Sequence, residues 1–344
     1  MDKNLYFIIV LNWNGWSDTK LCLESIVSNS KSDNFRVILV DNGSQSEEIE
    51  TIEEYCRKTY KVYVSDIKEN FLSPNYQLGE DFIVNGGKDK LIFIKNNENL
   101  GFAKGNNIAV EFVQNLGGQY VLLLNNDTEI EDDALNKMME ILIGDQTNKV
   151  AAVIPQIRYF RNKNIIWNCG GKINALGIRK YYYADADVKN VPQKGTMFVD
   201  YGTGCTILMD LHKTDRLSEK FFFGEEDLEL ALRLKKRGFK TVCLLDAIVY
   251  HKVGASRDKF SDKFIGNMVY HYAQRLSNLK DNLNPVYWRI TVVAHVLSSI
   301  RLLLANKKFS LKIAWNMWKD ILDNVNNLEK FTQADFARIS RKVY

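Results

Sequence analysis

Three apolar runs of strand length end abruptly at Asn or Asp, and this pattern constrains the fold more than any other feature of the chain. Apart from Arg36, each run consists of aliphatic, β-branched and aromatic residues, as expected of a strand buried on both faces of a sheet. The runs are residues 5–11 before Asn12, residues 35–40 before Asp41 and residues 120–124 before Asn125. A helical pattern follows each of them. Strands that alternate with helices predict an α/β fold with a mostly parallel sheet and right-handed crossovers.

The other strands and helices are predicted from the same periodicities and from capping residues. Strands are predicted at residues 90–95 and 240–251, and helices at 18–28 behind an N-cap at Ser17, after Asn107, at 131–143 and at 225–238. We interpret residues 65–88 as a surface insertion, residues 156–210 as irregular strands and loops, and the chain from about residue 260 as helical with an interruption at Pro285.

Length and cysteine usage limit the class of protein. With 344 residues, 46% of them hydrophobic, the chain is long enough for one large domain or for one domain with an appendage. The five cysteines are scattered and form no CxxC pair, which argues against a zinc site and against a disulfide framework. Buried reduced thiols in a cytoplasmic protein are expected instead. The apolar run at residues 5–11 is too short for a signal peptide.

Positive charge is concentrated in the last third of the chain. Residues 252–344 hold 16 Lys and Arg against 7 Asp and Glu, while residues 1–251 hold 30 against 35. This imbalance predicts an anionic partner for the last third. The basic residues are mixed with long apolar stretches, and no nucleic-acid-binding motif accompanies them. A membrane surface therefore fits better than a nucleic acid.

An apolar window at residues 286–305 is the candidate membrane contact. A spanning helix needs about 20 predominantly apolar residues, and Arg289, His295 and Arg301 inside the window argue against spanning. An interfacial helix is expected, with aromatic rings near the headgroups and lysines toward anionic lipid. These residues are Trp288, Trp315 and Trp318, with Lys307, Lys308 and Lys312. The alternative is a helical appendage that packs on the preceding part of the chain or on a second subunit.

Polar residues directly after the strand ends are the candidate binding residues. In open α/β sheets, ligands bind just beyond the carboxyl ends of the strands. Asp127 follows Asn125 and Asn126 at such an end, where a sheet presents a metal ligand to a phosphate. The alternative is an Asx-rich turn after a buried strand.

An ordered set of motifs resembles the family 2 glycosyltransferases, and within them the rhamnosyltransferase-like branch that builds bacterial surface polysaccharides. The motifs are Asn12-Trp13-Asn14-Gly15, Val40-Asp41-Asn42-Gly43-Ser44, Gly101-Phe102-Ala103-Lys104-Gly105-Asn106-Asn107, Leu124-Asn125-Asn126-Asp127, Gly202-Thr203-Gly204-Cys205, Phe222-Phe223-Gly224-Glu225-Glu226-Asp227 and Tyr250-His251-Lys252-Val253-Gly254-Ala255-Ser256. The resemblance covers roughly residues 5–260. It implies a GT-A fold with a Rossmann-like sheet, a nucleoside-diphosphate sugar donor, a divalent cation and inversion at the anomeric carbon.

The resemblance also implies a domain division. Residues 1–258 would form the GT-A catalytic domain, with residues 1–155 as the nucleotide-sugar half and residues 156–258 as the acceptor half. Residues 259–344 would form a C-terminal helical region.

For the metal site, the resemblance implies Asp127 and His251 as ligands of Mn²⁺ or Mg²⁺. Asp127 matches the second acid of the family's DxD motif, and Asn125 replaces the first acid, which removes a charge from the metal site. The alternative for His251 is a buried histidine at a strand end. An Asp and His pair favours Mn²⁺ over Mg²⁺, because imidazole suits softer cations.

For catalysis, the resemblance implies Asp227 as the base that accepts the proton of the acceptor hydroxyl. Glu226 would be oriented toward the acceptor or a phosphate. Because the acids are adjacent, the assignment between Glu226 and Asp227 stays open. The alternative is the ordinary preference for acids at a helix N-terminus.

For the donor, the resemblance implies that Asp41 accepts a hydrogen bond from a pyrimidine N3–H. The other implied donor-binding residues are Asn12 and Asn14 beside the base, Gly101, Phe102 and Ala103 near the ribose, Lys104 at the diphosphate, and Asn99, Asn106, Asn125 and Asn126 around them. Trp167 and Gly204 are expected on the acceptor side, and a core tryptophan is the alternative for Trp167.

The predicted reaction is transfer of a sugar from dTDP-rhamnose or a UDP-sugar to a saccharide or polyprenyl-linked acceptor. The protein is expected in the cytoplasm or on the cytoplasmic face of the inner membrane, with a homo-oligomer as one option. One rival is a non-catalytic sugar-nucleotide-binding subunit, which Asn125 favours. Another is a nucleotidyltransferase, which needs a Gly-rich, basic phosphate loop where Asn12-Trp13-Asn14-Gly15 stands.

Overall fold

The computed structural model describes residues 4–83, 87–253, 264–304 and 310–342. Its strands are β1 (Tyr6–Asn12), β2 (Phe35–Asp41), β3 (Val62–Ile67), β4 (Lys90–Lys95), β5 (Tyr120–Asn125), β6 (Thr128–Ile130), β7 (Val150–Tyr159), β8 (Asn162–Asn168), β9 (Gly171–Ile173), β10 (Arg179–Tyr181), β11 (Thr196–Val199), β12 (Thr206–Asp210) and β13 (Lys240–His251).

The helices alternate with the strands in the first half of the chain and follow one another at its end. They are α1 (Trp16–Asn29), α2 (Ser46–Thr59), α3 (Lys68–Phe71), α4 (Glu80–Ile83), α5 (Phe102–Asn115), α6 (Ala134–Ile143), α7 (Leu211–Thr214), α8 (Glu226–Lys236), α9 (Phe264–Asn282), α10 (Pro285–Leu304), α11 (Leu311–Asn327) and α12 (Gln333–Ser340). A short 3-10 helix spans Val188–Asn190.

One sheet of mainly parallel strands forms the centre of the molecule. Its order is β3-β4-β2-β1-β5-β12-β7-β13-β11, with β6 paired to β13 and β8 paired to β7. Neighbours from β3 to β5 are parallel, and β7 is parallel to β13, whereas β12 runs antiparallel between β5 and β7. The predicted mostly parallel α/β sheet is confirmed.

Two apolar cores lie on opposite faces of this sheet. Alternate side chains of a strand point to opposite faces, and β1 supplies both cores. Phe7 and Ile9 belong to one core, while Tyr6, Ile8 and Val10 belong to the other, and all five are essentially fully buried. This two-sided burial explains why the strands are continuous in apolar residues.

Two predicted helix starts were wrong. Helix α1 begins at Trp16 rather than Asp18, so that Ser17 lies inside its first turn. Gly15 is the N-cap residue, and its carbonyl accepts the first helical hydrogen bonds from the backbone N–H groups of Asp18 and Thr19. Helix α6 begins at Ala134 rather than residue 131, because residues 128–130 form β6 and pair with β13.

Two regions without a predicted element contain regular structure. Residues 206–210 form β12, a central strand, although residues 156–210 were interpreted as irregular. Strand β12 has the sequence Thr-Ile-Leu-Met-Asp, and its three consecutive apolar residues are fewer than the run of at least four that marks a buried strand. The expected insertion at residues 65–88 contains the end of β3, the edge strand, and the short helices α3 and α4.

Helices α9–α12 pack into a third apolar core that also includes Phe221. The prediction that Trp288 and Trp318 lie near lipid headgroups was wrong, since both side chains point into the helical region. Trp288 donates its indole N–H to the carbonyl of Leu276 at 2.9 Å, and buried Trp318 donates to Oγ of Ser299 at 2.6 Å. None of the helices in the described ranges has the length and apolarity needed to cross a membrane. Residues 254–263 and 305–309, including Gly254-Ala255-Ser256, Lys307 and Lys308, lie outside the described residues.

Candidate active site

The carboxyl ends of β1, β2 and β5 meet at one edge of the sheet. Asn12 lies opposite Asp41 in the β1–β2 pair, and Leu11 lies opposite Asn125 in the β1–β5 pair. The sheet register therefore gathers the polar residues that follow these strands.

Asp41 shapes the turn after β2 from inside the protein. It is fully buried, and its Oδ1 accepts from Nδ2 of Asn12 at 3.0 Å. Its Oδ2 accepts from the backbone N–H groups of Gly43 and Ser44 at 3.1 and 2.9 Å. Asn12 is also fully buried, and its Oδ1 accepts from Thr19 at 2.7 Å. The buried positions argue for a role in shaping the turn, and contact of either residue with a nucleobase stays a prediction.

Asn14 joins the turns after β1 and β2. It is exposed and lies in the left-handed region with φ 48°. Its backbone N–H donates to Oγ of Ser44 at 2.9 Å, and its Oδ1 accepts from the backbone N–H of Gln45 at 3.0 Å. The two turns thus form one surface beside the sheet edge.

The turn before α5 is built around Asn99 and Gly101. Oδ1 of Asn99 accepts from Nδ2 of Asn42 and from the backbone N–H of Gly101, both at 2.9 Å. Gly101 has φ +81°, and a Cβ there would lie 2.2 Å from the carbonyl oxygen of Phe222. Only glycine fits this close approach. The backbone N–H of Phe102 donates to that same oxygen at 3.1 Å.

The first turn of α5 separates packing residues from an exposed cation. Ala103 is fully buried in the core, and Asn106 is buried and donates to the carbonyl of Phe102 at 2.9 Å. Lys104 is exposed on the same turn. Among these three predicted donor-binding residues, Lys104 is the one whose side chain faces solvent.

Asp127 and His251 lie together because β6 pairs with the end of β13. Thr128 lies opposite His251 in this pair, and Nε2 of His251 is 3.2 Å from Oδ1 of Asp127. Burial alone would lower the pKa of His251, but the neighbouring Cys205 thiol and Asp127 carboxylate outweigh it and raise the pKa to about 10. The Trp167 ring packs edge-on against His251, with centroids 4.6 Å apart. The structure therefore places Trp167 beside the predicted metal ligands.

The residues present fit a cation that has few protein ligands. Within the described ranges, no three His, Cys, Asp or Glu side chains form a metal cluster. Apart from the ion-pair contact between Oδ1 of Asp127 and Nε2 of His251, Oδ1 of Asp127 and Nδ1 of His251 are buried without a hydrogen-bond partner in the described part of the chain. One carboxylate and one imidazole suit Mn²⁺ or Mg²⁺ when phosphate oxygens and waters complete the shell.

Asn125 and Asn126, which directly precede Asp127, are tied by hydrogen bonds to neighbouring elements. The backbone N–H of Asn125 donates to the carbonyl of Cys205 at 2.8 Å, which ties β5 to the start of β12. Nδ2 of Asn126 donates to Oγ1 of Thr19 on α1 at 2.9 Å. Asn125 remains partly exposed at the position of the missing first acid.

Asp227, the second residue of α8, is held by an arginine and a tyrosine. The hydroxyl of Tyr201 donates to its Oδ2, and its Oδ1 accepts from the backbone N–H of Leu228 at 2.7 Å. Nη1 of Arg179 lies 3.7 Å from Oδ1, and the guanidinium stacks over the Tyr201 ring at 4.7 Å. Burial and the nearby Asp227 charge raise the pKa of Tyr201 well above its usual value, so the tyrosine stays a donor.

Glu226 has a different environment from Asp227. It is buried, and its Oε2 has no hydrogen-bond partner among the described residues. Burial and the charge of Asp227 raise the pKa of Glu226 to about 8. At neutral pH the pair therefore contains one protonated carboxyl, and Asp227 is the better candidate for a base.

The turn at Gly204 lies between the Asp127–His251 pair and Asp227. A Cβ at Gly204 would lie 3.3 Å from Cε1 of Phe102 and 3.9 Å from Cβ of Asp227. The next residue, Cys205, contacts His251 and Asn125. Gly204 and Cys205 thus connect three parts of one site: the turn before α5, the Asp127–His251 pair, and the acids Glu226 and Asp227.

Arg179 and Tyr201 were not predicted as site residues. Arg179 comes from β10, in a region interpreted as irregular, and no motif marks it. Tyr201 directly precedes the Gly202-Thr203-Gly204 turn, which was the one available signal.

Comparisons with known families agree with this architecture. A family model described as "Glycosyltransferase like family 2" matches residues 83–265, which is more than half of the chain. A second model, "Glycosyl transferase family 2", matches residues 7–82. No curated protein matches the chain in sequence.

Solved structures share the fold at low identity. GalNAc-T7 with UDP, GalNAc and Mn²⁺ is 13% identical with a TM-score of 0.54, over 86% of this chain and 57% of that one. TarS 1–349 of S. aureus is 14% identical with a TM-score of 0.53, over 98% and 89%. Mannosyltransferase PcManGT of Pyrobaculum calidifontis with GDP-Man and Mn²⁺ is 11% identical with a TM-score of 0.51, over 93% and 86%. The chain therefore spans just over half of the GalNAc-T7 chain, and the predicted GT-A fold is confirmed.

Proposed function

We propose that this chain, which belongs to glycosyltransferase family 2, transfers a sugar with inversion from a nucleoside-diphosphate sugar to a saccharide or polyprenyl-linked saccharide. The observation that carries the proposal is the Gly204 turn, which lies beside Asp227 on one side and leads into Cys205 beside His251 on the other. A transferase needs a diphosphate site and a base near the same sugar carbon, and this proximity supports the assignment of both roles to these residues.

Asp227 is the proposed base. Its carboxylate takes the proton of the acceptor hydroxyl while the acceptor oxygen bonds to the anomeric carbon and the bond from that carbon to the diphosphate oxygen breaks. Tyr201 and the backbone N–H of Leu228 fix the orientation of the carboxylate. Attack from the face opposite the leaving group inverts the anomeric centre.

Asp127 and His251 are the proposed ligands of Mn²⁺ or Mg²⁺. When bound, the cation neutralises the charge that develops on the departing diphosphate. Support comes from two buried atoms, Oδ1 of Asp127 and Nδ1 of His251, that lack a hydrogen-bond partner among the described residues. Two structures of the same fold that contain Mn²⁺ also support it. Because Asn125 removes one charge, we expect the cation to bind tightly only together with the donor.

The donor proposed first is dTDP-rhamnose, and the second is a UDP-hexose or UDP-N-acetylhexosamine, used in bacterial surface polysaccharide synthesis. The test is a thermal-shift screen of nucleotide sugars with Mn²⁺, because a ligand that binds only the native state raises its stability. Release of nucleoside diphosphate from the best ligand, with and without acceptor, follows. Binding without any turnover would favour a non-catalytic assembly subunit instead.

We further propose that the hairpin of α10 and α11 docks on the cytoplasmic face of the inner membrane. Its exposed apolar side chains follow helical spacing on α10 and lie in the first turns of α11. They are Val286, Ile290, Val293 and Leu297, with Leu311 and Trp315. Trp315 is 74% exposed, whereas tryptophan is highly buried on average in folded proteins.

Charge supports a lipid partner for this hairpin. Residues 282–319 contain six Lys and Arg and no Asp or Glu. Apolar side chains among cations and without acids complement an anionic bilayer surface. A self-associating face of the same chain would place these cations against one another, which is unfavourable.

A further inference from the structure

The segment that leads into α8 is held by the C-terminal helices. Four of its six residues, 220–225, contact that region. Nζ of Lys220 lies 2.5 Å from Oδ2 of Asp281, and the Lys220 carbonyl accepts from the backbone N–H of Phe331 at 2.8 Å. The ring of Phe221 packs on Phe331, and the ring of Phe222 packs on Phe336. Glu225 forms an ion pair with Arg275. The acids at the start of α8 therefore rest on helices that follow the family-matched region.

The Glu225–Arg275 ion pair is the most buried of these contacts. Nε of Arg275 lies 2.7 Å from both carboxylate oxygens of Glu225. Nδ2 of Asn278 donates to the Glu225 carbonyl at 3.2 Å. Arg275, Asn278 and Glu225 are all buried. A buried charge needs its partner, so loss of Arg275 would leave Glu225 without its counterion.

Glu225 also has an uncommon backbone conformation. It is the residue before α8 and lies in the left-handed region with φ 74°. A residue other than glycine stays in that region only where its surroundings hold it. Because Glu225 immediately precedes Glu226 and Asp227, its conformation sets the direction in which α8 presents these acids.

The opposite side of the same segment meets the donor turn. The carbonyl oxygen of Phe222 accepts from the backbone N–H of Phe102 and lies against Gly101. A shift of the segment would therefore move the acid pair and the donor turn relative to each other. Small misplacements of catalytic groups lower rates strongly.

We propose that Arg275 is a positioning residue that acts through Glu225 to hold Asp227 at its working position, so that α9 is part of the catalytic machinery. This inference rests on the proposed transfer function. It assigns a role to the C-terminal helices that is separate from membrane docking.

The test compares Arg275→Ala, Arg275→Lys and Glu225→Gln with the wild-type full-length chain. We expect Arg275→Ala to lower kcat about 10²-fold with less than a threefold change in the donor KM. Arg275→Lys keeps a cation and should retain most of the activity. Millimolar guanidinium should partly restore kcat of Arg275→Ala, which a loss through unfolding would not permit.

The matched control is Lys220→Ala, which breaks a more exposed ion pair in the same interface and should change kcat less than threefold. If Arg275→Ala folds and keeps wild-type kcat, the inference is overturned. If Arg275→Ala does not fold, wild-type kcat in Glu225→Gln overturns it, and a reduced kcat with unchanged donor KM supports it. An inactive wild-type chain would instead contradict the proposed function.

Discussion

Nε2 of His251 lies 3.2 Å from Oδ1 of Asp127 because the short strand β6, which follows Asp127, pairs with the last residues of β13. His251 is the last residue of β13, and Asp127 lies in the two-residue turn between β5 and β6. The backbone N–H of Lys252 donates to the carbonyl of Asp127 at 2.9 Å, so the turn that carries one predicted metal ligand is tied to the strand end that carries the other.

Asp127→Ala should abolish sugar transfer, because the cation loses its carboxylate ligand. Loss of such a group commonly lowers kcat on the order of 10²-fold or more. The measurement is nucleoside diphosphate release at saturating donor over a range of Mn²⁺ concentrations. Glu129→Gln, two residues away on β6, is the matched control and should stay near wild type. Full activity of Asp127→Ala at saturating donor would remove Asp127 from the metal site.

Asp227→Asn should lower kcat and leave donor affinity nearly unchanged. The amide has the same size but accepts no proton, and general-base assistance contributes roughly 10²–10⁴-fold. Steady-state kinetics with varied donor separate kcat from KM. Glu226→Gln keeps a neutral group at that buried position and should reduce kcat less. If Glu226→Gln is inactive and Asp227→Asn is normal, the two roles are reversed.

Glu226 should make the stability of the protein depend on pH. Burial and Asp227 raise its pKa from 4.5 to about 8 in the folded state, so the native state binds more protons than the unfolded state between these values. Stability from this group is fully present below pH 4.5 and is lost as pH rises through 8. Melting temperatures across this range should fall more steeply for wild type than for Glu226→Gln. Parallel curves for the two proteins would contradict the assignment.

Anionic vesicles should bind the protein at low salt. Each Lys or Arg near such a surface contributes about 1 kcal/mol, screened by salt. The fraction of protein that co-sediments should fall as salt rises. It should fall further when Lys307, Lys308 and Lys312 are replaced by Glu. Leu297→Asp should also weaken it.

The matched control for the vesicle assay replaces Lys58 and Lys61, which are exposed on the sheet half of the chain, by Glu. This variant should bind like wild type. If the intact protein ignores anionic vesicles at low salt, the hairpin is a packing or dimerisation element, which light scattering would identify.

Local patterns predicted the sheet well and the site in part. The strands that end at Asn12, Asp41 and Asn125 were predictable because two-sided burial leaves a continuous apolar run. The prediction of Ser17 as N-cap was wrong because α1 already begins at Trp16, one residue before Ser17, with Gly15 at the N-cap position. The fully buried position of Asp41 also depends on tertiary contacts, since Asn12 closes the turn around it.

Long-range packing determined what the sequence alone did not indicate. No sequence motif includes Arg179, Tyr201 or Arg275. Each comes from a different part of the chain and contacts Glu225 or Asp227. Trp288 and Trp318 fit an interfacial pattern by type, yet Trp318 is buried, Trp288 is half-buried, and both donate their N–H groups inside the helical region. Such side chains become identifiable only when their partners are known.

Residues 220–225 contact helices that are synthesised after them, so the contacts that hold this segment form late in translation. During translation the central sheet is complete once β13 has left the ribosome, whereas the partners of Lys220 and Glu225 emerge later. A nascent chain that ends after β13 contains every strand of the sheet but lacks the contacts that hold residues 220–225. The proposed role of Arg275 therefore implies that the site is completed only after α9 has been synthesised.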